Sequence, residues 1–196
     1  MNFNLKEAKW FYAPRQYKIE NETLTMITEP KTDFWQRTYY GFRNDNAHVL
    51  YNKTNERLFS FTVKVEFSYK NLFDQCGIVI YQDSENWVKA GIEYRDDCKM
   101  WLGSVVTNHG YSDWATVDID ASINSIWYRL SRRQSDYQIE YSYNGIDFQQ
   151  MRIFHLAKGD GEINFGLLAC SPSDSSFEAT FTDMKITDCV WKAHET

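Results

Sequence analysis

Short runs of β-branched and aromatic residues recur along this chain of 196 residues, with clusters of Asn, Asp, Gly and Ser between them. Apolar positions at helical spacing are nearly absent. The pattern predicts strands at residues 17–28, 35–40, 59–69, 76–82, 87–94, 101–107, 126–133, 137–142, 148–154, 162–169 and 178–187. Many short strands separated by turn residues are typical of two stacked sheets. The sequence therefore predicts an all-β sandwich.

Turn signals between these runs indicate hairpins. Asn144-Gly145 is a dipeptide that tolerates two positive φ angles. Residues 83–86 and 132–136 are polar and short enough to join neighbouring strands directly. We therefore expect most consecutive strands to be antiparallel.

The composition favours one domain without a nucleic-acid or membrane partner. With 43% hydrophobic residues, a chain of this length can bury one sizeable core, so we expect residues 1–196 to form a single β-sandwich domain. The formal net charge is −6 and Arg132-Arg133 is the longest basic cluster. Nucleic acid and anionic lipid both require clustered Lys and Arg.

The amino terminus and the cysteines favour a cytoplasmic protein. Charged residues lie where a signal peptide would have its apolar core, and no stretch approaches the roughly 20 apolar residues that span a bilayer. The four cysteines are widely spaced and form no Cys-x-x-Cys pair, which is typical of reduced thiols. They are Cys76, Cys98, Cys170 and Cys189.

Residues 87–94 form the most informative predicted strand, because its two faces differ in chemistry. Side chains alternate between the faces of a strand. The apolar face carries Val88, Ala90, Ile92 and Tyr94, and the polar face carries Trp87, Lys89, Gly91 and Glu93. A ring, a cation, a carboxylate and a glycine on one face predict a binding surface. By contrast, residues 59–67 alternate plainly between apolar and polar and are predicted to be structural.

Other residues are candidates for the same groove. Trp35, Arg37 and Tyr39 share one face of predicted strand 35–40. Gln75 offers hydrogen bonds, and Trp114 offers a flat apolar surface. Arg129 faces away from its apolar neighbours, and its guanidinium suits a carboxylate such as Glu93 or an internal salt bridge.

A saccharide hydrolase would need two carboxylates, one of them with a raised pKa. Glu93 is the best acid or base, and Asp74 or Asp113 could supply the second carboxylate from a loop. Lys89 and Glu93 have a purely structural alternative in cross-strand ion pairs. The histidines lack metal-ligand spacing, and no nucleophile elbow is present, so we predict no metal and no cofactor.

Six ordered segments resemble a domain family of unknown function that includes the fungal regulation of enolase protein 1. They are residues 32–38, 73–77, 87–94, 105–108, 112–114 and 169–172. The likeness extends from about residue 10 to residue 188. It implies a two-sheet antiparallel jelly-roll sandwich of the concanavalin A-like lectin/glucanase type, a cytoplasmic location and no established reaction.

These observations favour a non-enzymatic module that binds a carbohydrate or small polar metabolite on a concave sheet. One alternative is a saccharide hydrolase or lyase that uses Glu93. The other is a protein-interaction module that regulates a metabolic enzyme, with a protein partner. The candidate ligand-binding residues are Trp35, Arg37, Asp74, Gln75, Trp87, Lys89, Glu93, Asp113, Trp114 and Arg129.

Overall fold

The computed structural model describes residues 3–192, and within that range the regular structure consists of strands only. The first eight are β1 (Lys9–Phe11), β2 (Gln16–Glu20), β3 (Thr23–Ile27), β4 (Phe34–Gln36), β5 (Arg43–Asp45), β6 (His48–Thr54), β7 (Leu58–Phe67) and β8 (Gln75–Asp83). The others are β9 (Asn86–Tyr94), β10 (Lys99–Asn108), β11 (Tyr111–Asp120), β12 (Ser125–Arg133), β13 (Asp136–Ser142), β14 (Gln149–His155), β15 (Ile163–Cys170) and β16 (Glu178–Thr187). No helix in the described range is suited to crossing a bilayer.

Two seven-stranded sheets form the sandwich. The first sheet has the order β1-β6-β15-β8-β9-β10-β11, and the second has the order β14-β13-β12-β7-β16-β3-β2. Neighbouring strands in both sheets are antiparallel, and β4 and β5 form a separate hairpin. The predicted all-β, two-sheet antiparallel sandwich is confirmed.

The main core lies between the two sheets, and a second core covers the opposite face of the first sheet. Val88 and Ile92 of β9 belong to the main core, as the alternation predicted. Trp87, on the other face of β9, packs in the second core with Phe34 of the hairpin. In β7 the odd positions are buried and the even positions from 62 to 66 are partly exposed, which confirms the structural interpretation of that strand.

Two predicted strands end earlier than expected. Residues 17–28 form β2 and β3 rather than one strand, because Asn21 and Glu22 take positive φ angles of 47° and 60° and reverse the chain. The predicted strand 35–40 was also too long. It ends at Gln36, since Arg37 and Tyr39 adopt φ angles of 57° and 61°. A residue in the left-handed region interrupts the regular pleat of a strand.

Four strands were not predicted: β1, β5, β6 and β11. Strand β11 lies at the edge of the first sheet, and most of its residues are exposed on both faces, so it lacks the alternation of a half-buried strand. Strands β1 and β5 contain only three residues each.

Three glycines lie side by side across the centre of the first sheet. Gly77 of β8 pairs with Gly91 of β9, which in turn pairs with Gly103 of β10. A Cβ atom on Gly77 would overlap the carbonyl oxygen of Ala90. The glycines therefore permit a backbone approach that no side chain allows.

We predict that Gly77→Ala lowers the free energy of unfolding by about 3 kcal/mol, because the new methyl group forces the strands apart. Urea unfolding measures this change. Gly161→Ala is the matched control, since a Cβ atom there meets no atom within 4 Å. Equal stabilities of the two variants would contradict the packing argument.

Candidate functional site

A cavity of about 310 Å³ lies on the face of the first sheet that points away from the second sheet. Strands β8, β9 and β10 form its floor, and the β4–β5 hairpin covers it. Its volume is at the lower end of the range for small-molecule sites. The lining residues are Asp33, Trp35, Tyr40, Phe42, Asn44, Phe73, Gln75, Lys89, Glu93, Val105, Trp114, Pro172 and Ser173.

Hydrogen bonds at both ends hold the hairpin over the sheet. The Gln36 main-chain N–H donates to Ser112 Oγ of β11 at 2.9 Å. At the end of β5, the Tyr81 hydroxyl donates to the Asp45 carboxylate at 3.0 Å. The cover is therefore tied to strands on two sides of the cavity.

A buried ion pair ties the hairpin to the floor. Lys89 Nζ lies 2.9 Å from Asp33 Oδ1, and the two side chains are only 6% and 13% exposed. Burial disfavours the Lys89 ammonium, but the Asp33 carboxylate, with smaller contributions from Cys170 and Glu93, outweighs it and raises the pKa of Lys89. Asp33 Oδ1 also accepts the main-chain N–H of Phe34 at 2.7 Å. Lys89 therefore stays charged and bound to Asp33.

Glu93 is the second acid of the floor and has a different environment. It is 7% exposed and has no ion-pair partner among residues 3–192. Burial raises its pKa to about 7, although Lys89 opposes this shift, and the Asp33 charge adds to it. The Trp114 indole lies near enough to favour the carboxylate, yet its buried Nε1 finds no acceptor at hydrogen-bond distance among the described residues.

Aromatic side chains surround the mouth of the cavity. The rings of Trp35 and Trp114 are perpendicular, with centroids 6.4 Å apart. Tyr40 packs against Trp35 at 5.5 Å and stacks on Phe42 at 5.4 Å. The cavity therefore combines a charged floor with aromatic walls, an arrangement that holds a small ligand with both polar and apolar parts.

Five of the candidate residues from the sequence lie together in this cavity: Trp35, Gln75, Lys89, Glu93 and Trp114. They come from the hairpin, from the adjacent strands β8 and β9, and from β11, which β10 separates from β9. Gln75 is fixed beside Glu93 by strand pairing, and its amide donates to the Phe73 carbonyl oxygen at 3.0 Å.

The structure places the other five candidates outside the cavity lining. Trp87 shares a strand face with Lys89 but is fully buried under Phe34. Asp74 is also fully buried, and its Oδ2 accepts main-chain N–H groups of the 70–74 loop. Neither side chain lines the cavity.

The remaining three have partners elsewhere in the fold. Arg37 Nη2 donates to Glu85 at 2.8 Å, beyond the end of β4. Asp113 pairs with Arg152 of the second sheet at 2.9 Å, because it faces away from its neighbour Trp114. Arg129 lies in the second sheet and forms a bidentate pair with Glu140 at 2.6 and 2.8 Å. The internal salt bridge considered for Arg129 is therefore what the structure shows.

Sequence reasoning missed Asp33 and the hairpin aromatics Tyr40 and Phe42. Asp33 lies next to the predicted strand, and only its contact with Lys89 across 56 positions shows its role. The aromatic-rich turn at residues 39–42 was the available signal, since rings at an exposed turn have no core to fill. Among residues 3–192, no three His, Cys, Asp or Glu side chains are grouped as metal ligands.

Fold and site together define a class: a β-sandwich protein with a small covered cavity on the outer face of one sheet. Residues 10–189 match the model of a family described as "Protein of unknown function (DUF1349)". The chain belongs to this family, and the predicted resemblance is confirmed.

Relatives agree with this assignment. The chain is 33% identical over 192 residues to "Regulation of enolase protein 1" of Saccharomyces cerevisiae, covering 98% of this chain and 95% of that protein. A crystal structure of a functionally unknown protein from Saccharomyces cerevisiae has a TM-score of 0.88 and 32% identity, covering 95% and 99% of the two chains. A xylan β-1,4-xylosidase from Bacillus halodurans has a TM-score of 0.68 at 10% identity, covering 93% of this chain and 40% of that one. The last similarity shows the fold alone.

We predict that Glu93 makes the protein less stable as the pH rises. Its pKa is raised from 4.5 to about 7 in the folded state, so the folded protein holds this proton more tightly than the unfolded chain. The stabilisation is complete below pH 4.5 and is lost as the pH passes 7. Glu93→Gln should abolish this loss. The free energy of unfolding of the variant, relative to that of the wild type, should therefore rise by about 3 kcal/mol from pH 4 to pH 8. Parallel stability curves for the two proteins would refute the prediction.

We predict that Lys89→Met costs about 3–5 kcal/mol, because it leaves the buried Asp33 without its cation. Chemical unfolding at neutral pH measures the loss. Lys53→Met removes an exposed ion pair with Glu162 and should have little effect. If both variants lose the same stability, the Lys89–Asp33 pair does not hold the hairpin to the sheet.

Proposed function

We propose that the cavity under the hairpin binds a small polar metabolite or a saccharide unit without chemical conversion. The observation that supports this is a buried Glu93 carboxylate, which has no ion-pair partner among the described residues, beside aromatic walls from Trp35 and Trp114. Polar groups at the base of an apolar cavity fix the orientation of a ligand, and the rings contribute most of the contact area.

The saccharide part of the proposal rests on ring stacking together with hydrogen bonds from the floor. Sugars present apolar C–H faces to aromatic rings and hydroxyl groups to carboxylates and amides. Trp114 and Glu93 lie at suitable positions for these two roles, and Gln75 adjoins Glu93 through strand pairing. A volume of about 310 Å³ accommodates one sugar unit rather than a polymer.

We predict that a panel of saccharides and polar metabolites contains a ligand detectable by ligand-observed NMR. The Trp114→Leu, Glu93→Gln double variant should weaken its binding at least about tenfold, since it loses both a stacking surface and a charged hydrogen bond. Tyr143→Leu is the control, because it removes a half-exposed ring from the turn that follows β13 of the second sheet. Equal binding by the double variant and the wild type would place the site elsewhere.

Catalysis by Glu93 is a second candidate, favoured by its pKa of about 7, which suits an acid or base at neutral pH. Neither Asp74 nor Asp113 lines the cavity as its partner. Asp33 does, but its Oδ1 is already bound by Lys89. Release of reducing sugar that disappears in Glu93→Gln would favour a hydrolase over a binding module.

A protein partner is a third candidate, favoured by the hairpin turn and by the name of the yeast relative. Tyr39 is 92% exposed and lies beside the half-exposed Tyr40 and Phe42. Such rings are enriched at protein interfaces. In this role the chain would regulate a metabolic enzyme in the cytoplasm, where its four free cysteines would stay reduced. A pull-down at high salt that depends on Tyr39 would favour it.

A further inference from the structure

We propose that the cavity under the hairpin takes a small organic cation, with Glu93 as its counter-ion and the aromatic walls around its charged nitrogen. The chemical class is a protonated or quaternary amine. This inference rests on the proposed function, because it names the ligand class for the same cavity.

Charge balance is the first support. The floor and its cover bring together one cation, Lys89, and two acids, Asp33 and Glu93. Lys89 and Asp33 neutralise each other at 2.9 Å. When Glu93 is ionised the group therefore carries one net negative charge in a buried setting. A neutral ligand would leave that carboxylate without a counter-charge, which is costly out of water, whereas a cationic ligand supplies it.

The hydrogen-bond inventory is the second support. The Gln75 amide, the Trp35 indole N–H and the Ser173 hydroxyl each donate to a main-chain carbonyl oxygen, at 3.0, 3.1 and 3.0 Å. Trp114 Nε1 remains without an acceptor among the described residues and lies beside Glu93. The lining donors of Gln75, Trp35 and Ser173 are therefore already occupied within the protein. The carboxylate of Glu93, in contrast, has no ion-pair partner among the described residues.

The aromatic walls are the third support. A cation within about 6 Å of a ring centroid is attracted to the ring face, most strongly for Trp, and the attraction is stronger when water is excluded. Trp35 and Trp114 form two perpendicular walls, and Tyr40 extends the surface from Trp35. Aromatic side chains grouped into a cage are an established means of recognising quaternary ammonium groups.

The test compares ligands that differ only in charge. Choline and its neutral isostere 3,3-dimethylbutan-1-ol form one pair, and glucosamine and glucose form the other. Titration calorimetry and ligand-observed NMR on the full chain measure their affinities. We expect choline to bind at least about tenfold more tightly than its isostere, and protonated glucosamine to bind more tightly than glucose.

Dependence on Glu93 follows from the same argument. Choline keeps its charge at every pH, so its affinity should rise as the pH passes the Glu93 pKa of about 7, while the isostere shows no such change. Glu93→Gln should remove the preference of the protein for choline. Tyr143→Leu should bind choline as the wild type does, because that ring lies in the turn after β13 of the second sheet and outside the cavity lining.

The outcomes separate this inference from the proposed function. Equal affinity within both pairs, or a choline affinity unchanged in Glu93→Gln, overturns the assignment of a cation. No saturable binding of choline or glucosamine at millimolar concentration also overturns it. The proposed function then still stands if a neutral saccharide or metabolite binds and the Trp114→Leu, Glu93→Gln variant loses it.

Discussion

The buried ion pair between Lys89 and Asp33 is the interaction on which the outer face of the first sheet depends. Two charges removed from water are tolerable only when they meet, so β9 requires the chain segment that carries Asp33 to lie over it. That segment leads directly into the β4–β5 hairpin, whose Phe34 then packs on Trp87. The cavity exists because the hairpin is held at one side by this pair and rises over Glu93 on the other.

The same pair determines the chemistry of the cavity. Because Lys89 is committed to Asp33, it reduces but does not cancel the cost of burying Glu93, whose pKa stays near 7. The glycines at the centre of the floor keep β8, β9 and β10 close together, and strand pairing then brings Gln75 beside Glu93. The sheet register and the Lys89–Asp33 pair together therefore place Glu93 among aromatic rings, without an ion-pair partner among the described residues.

Sequence alternation was sufficient to predict which side chains share a face of one strand. It failed to predict contacts between segments that are distant in the sequence. The opposite faces of β9 and the plain alternation of β7 were predictable, since side-chain direction has a period of two. The sequence around Arg129 does not indicate that this residue belongs to the second sheet, where it pairs with Glu140. The turn at Arg37 was not predicted, because a residue other than glycine that adopts a positive φ angle has no distinctive sequence signal. Asp33 was recognisable only through its contact with Lys89.

The similarity in fold to a xylosidase does not by itself favour hydrolysis here, because function depends on the site. Glycoside hydrolysis needs one carboxyl group that gives a proton and a second that attacks or activates water. Glu93 suits the first role. The other lining carboxylate belongs to Asp33, and its Oδ1 already binds the Lys89 ammonium and accepts the Phe34 N–H. Freeing it would leave Lys89 buried without its nearest anion and would loosen the hairpin that closes the cavity. The interaction that builds this site thus leaves Glu93 as the lining carboxyl group without an ion-pair partner among the described residues.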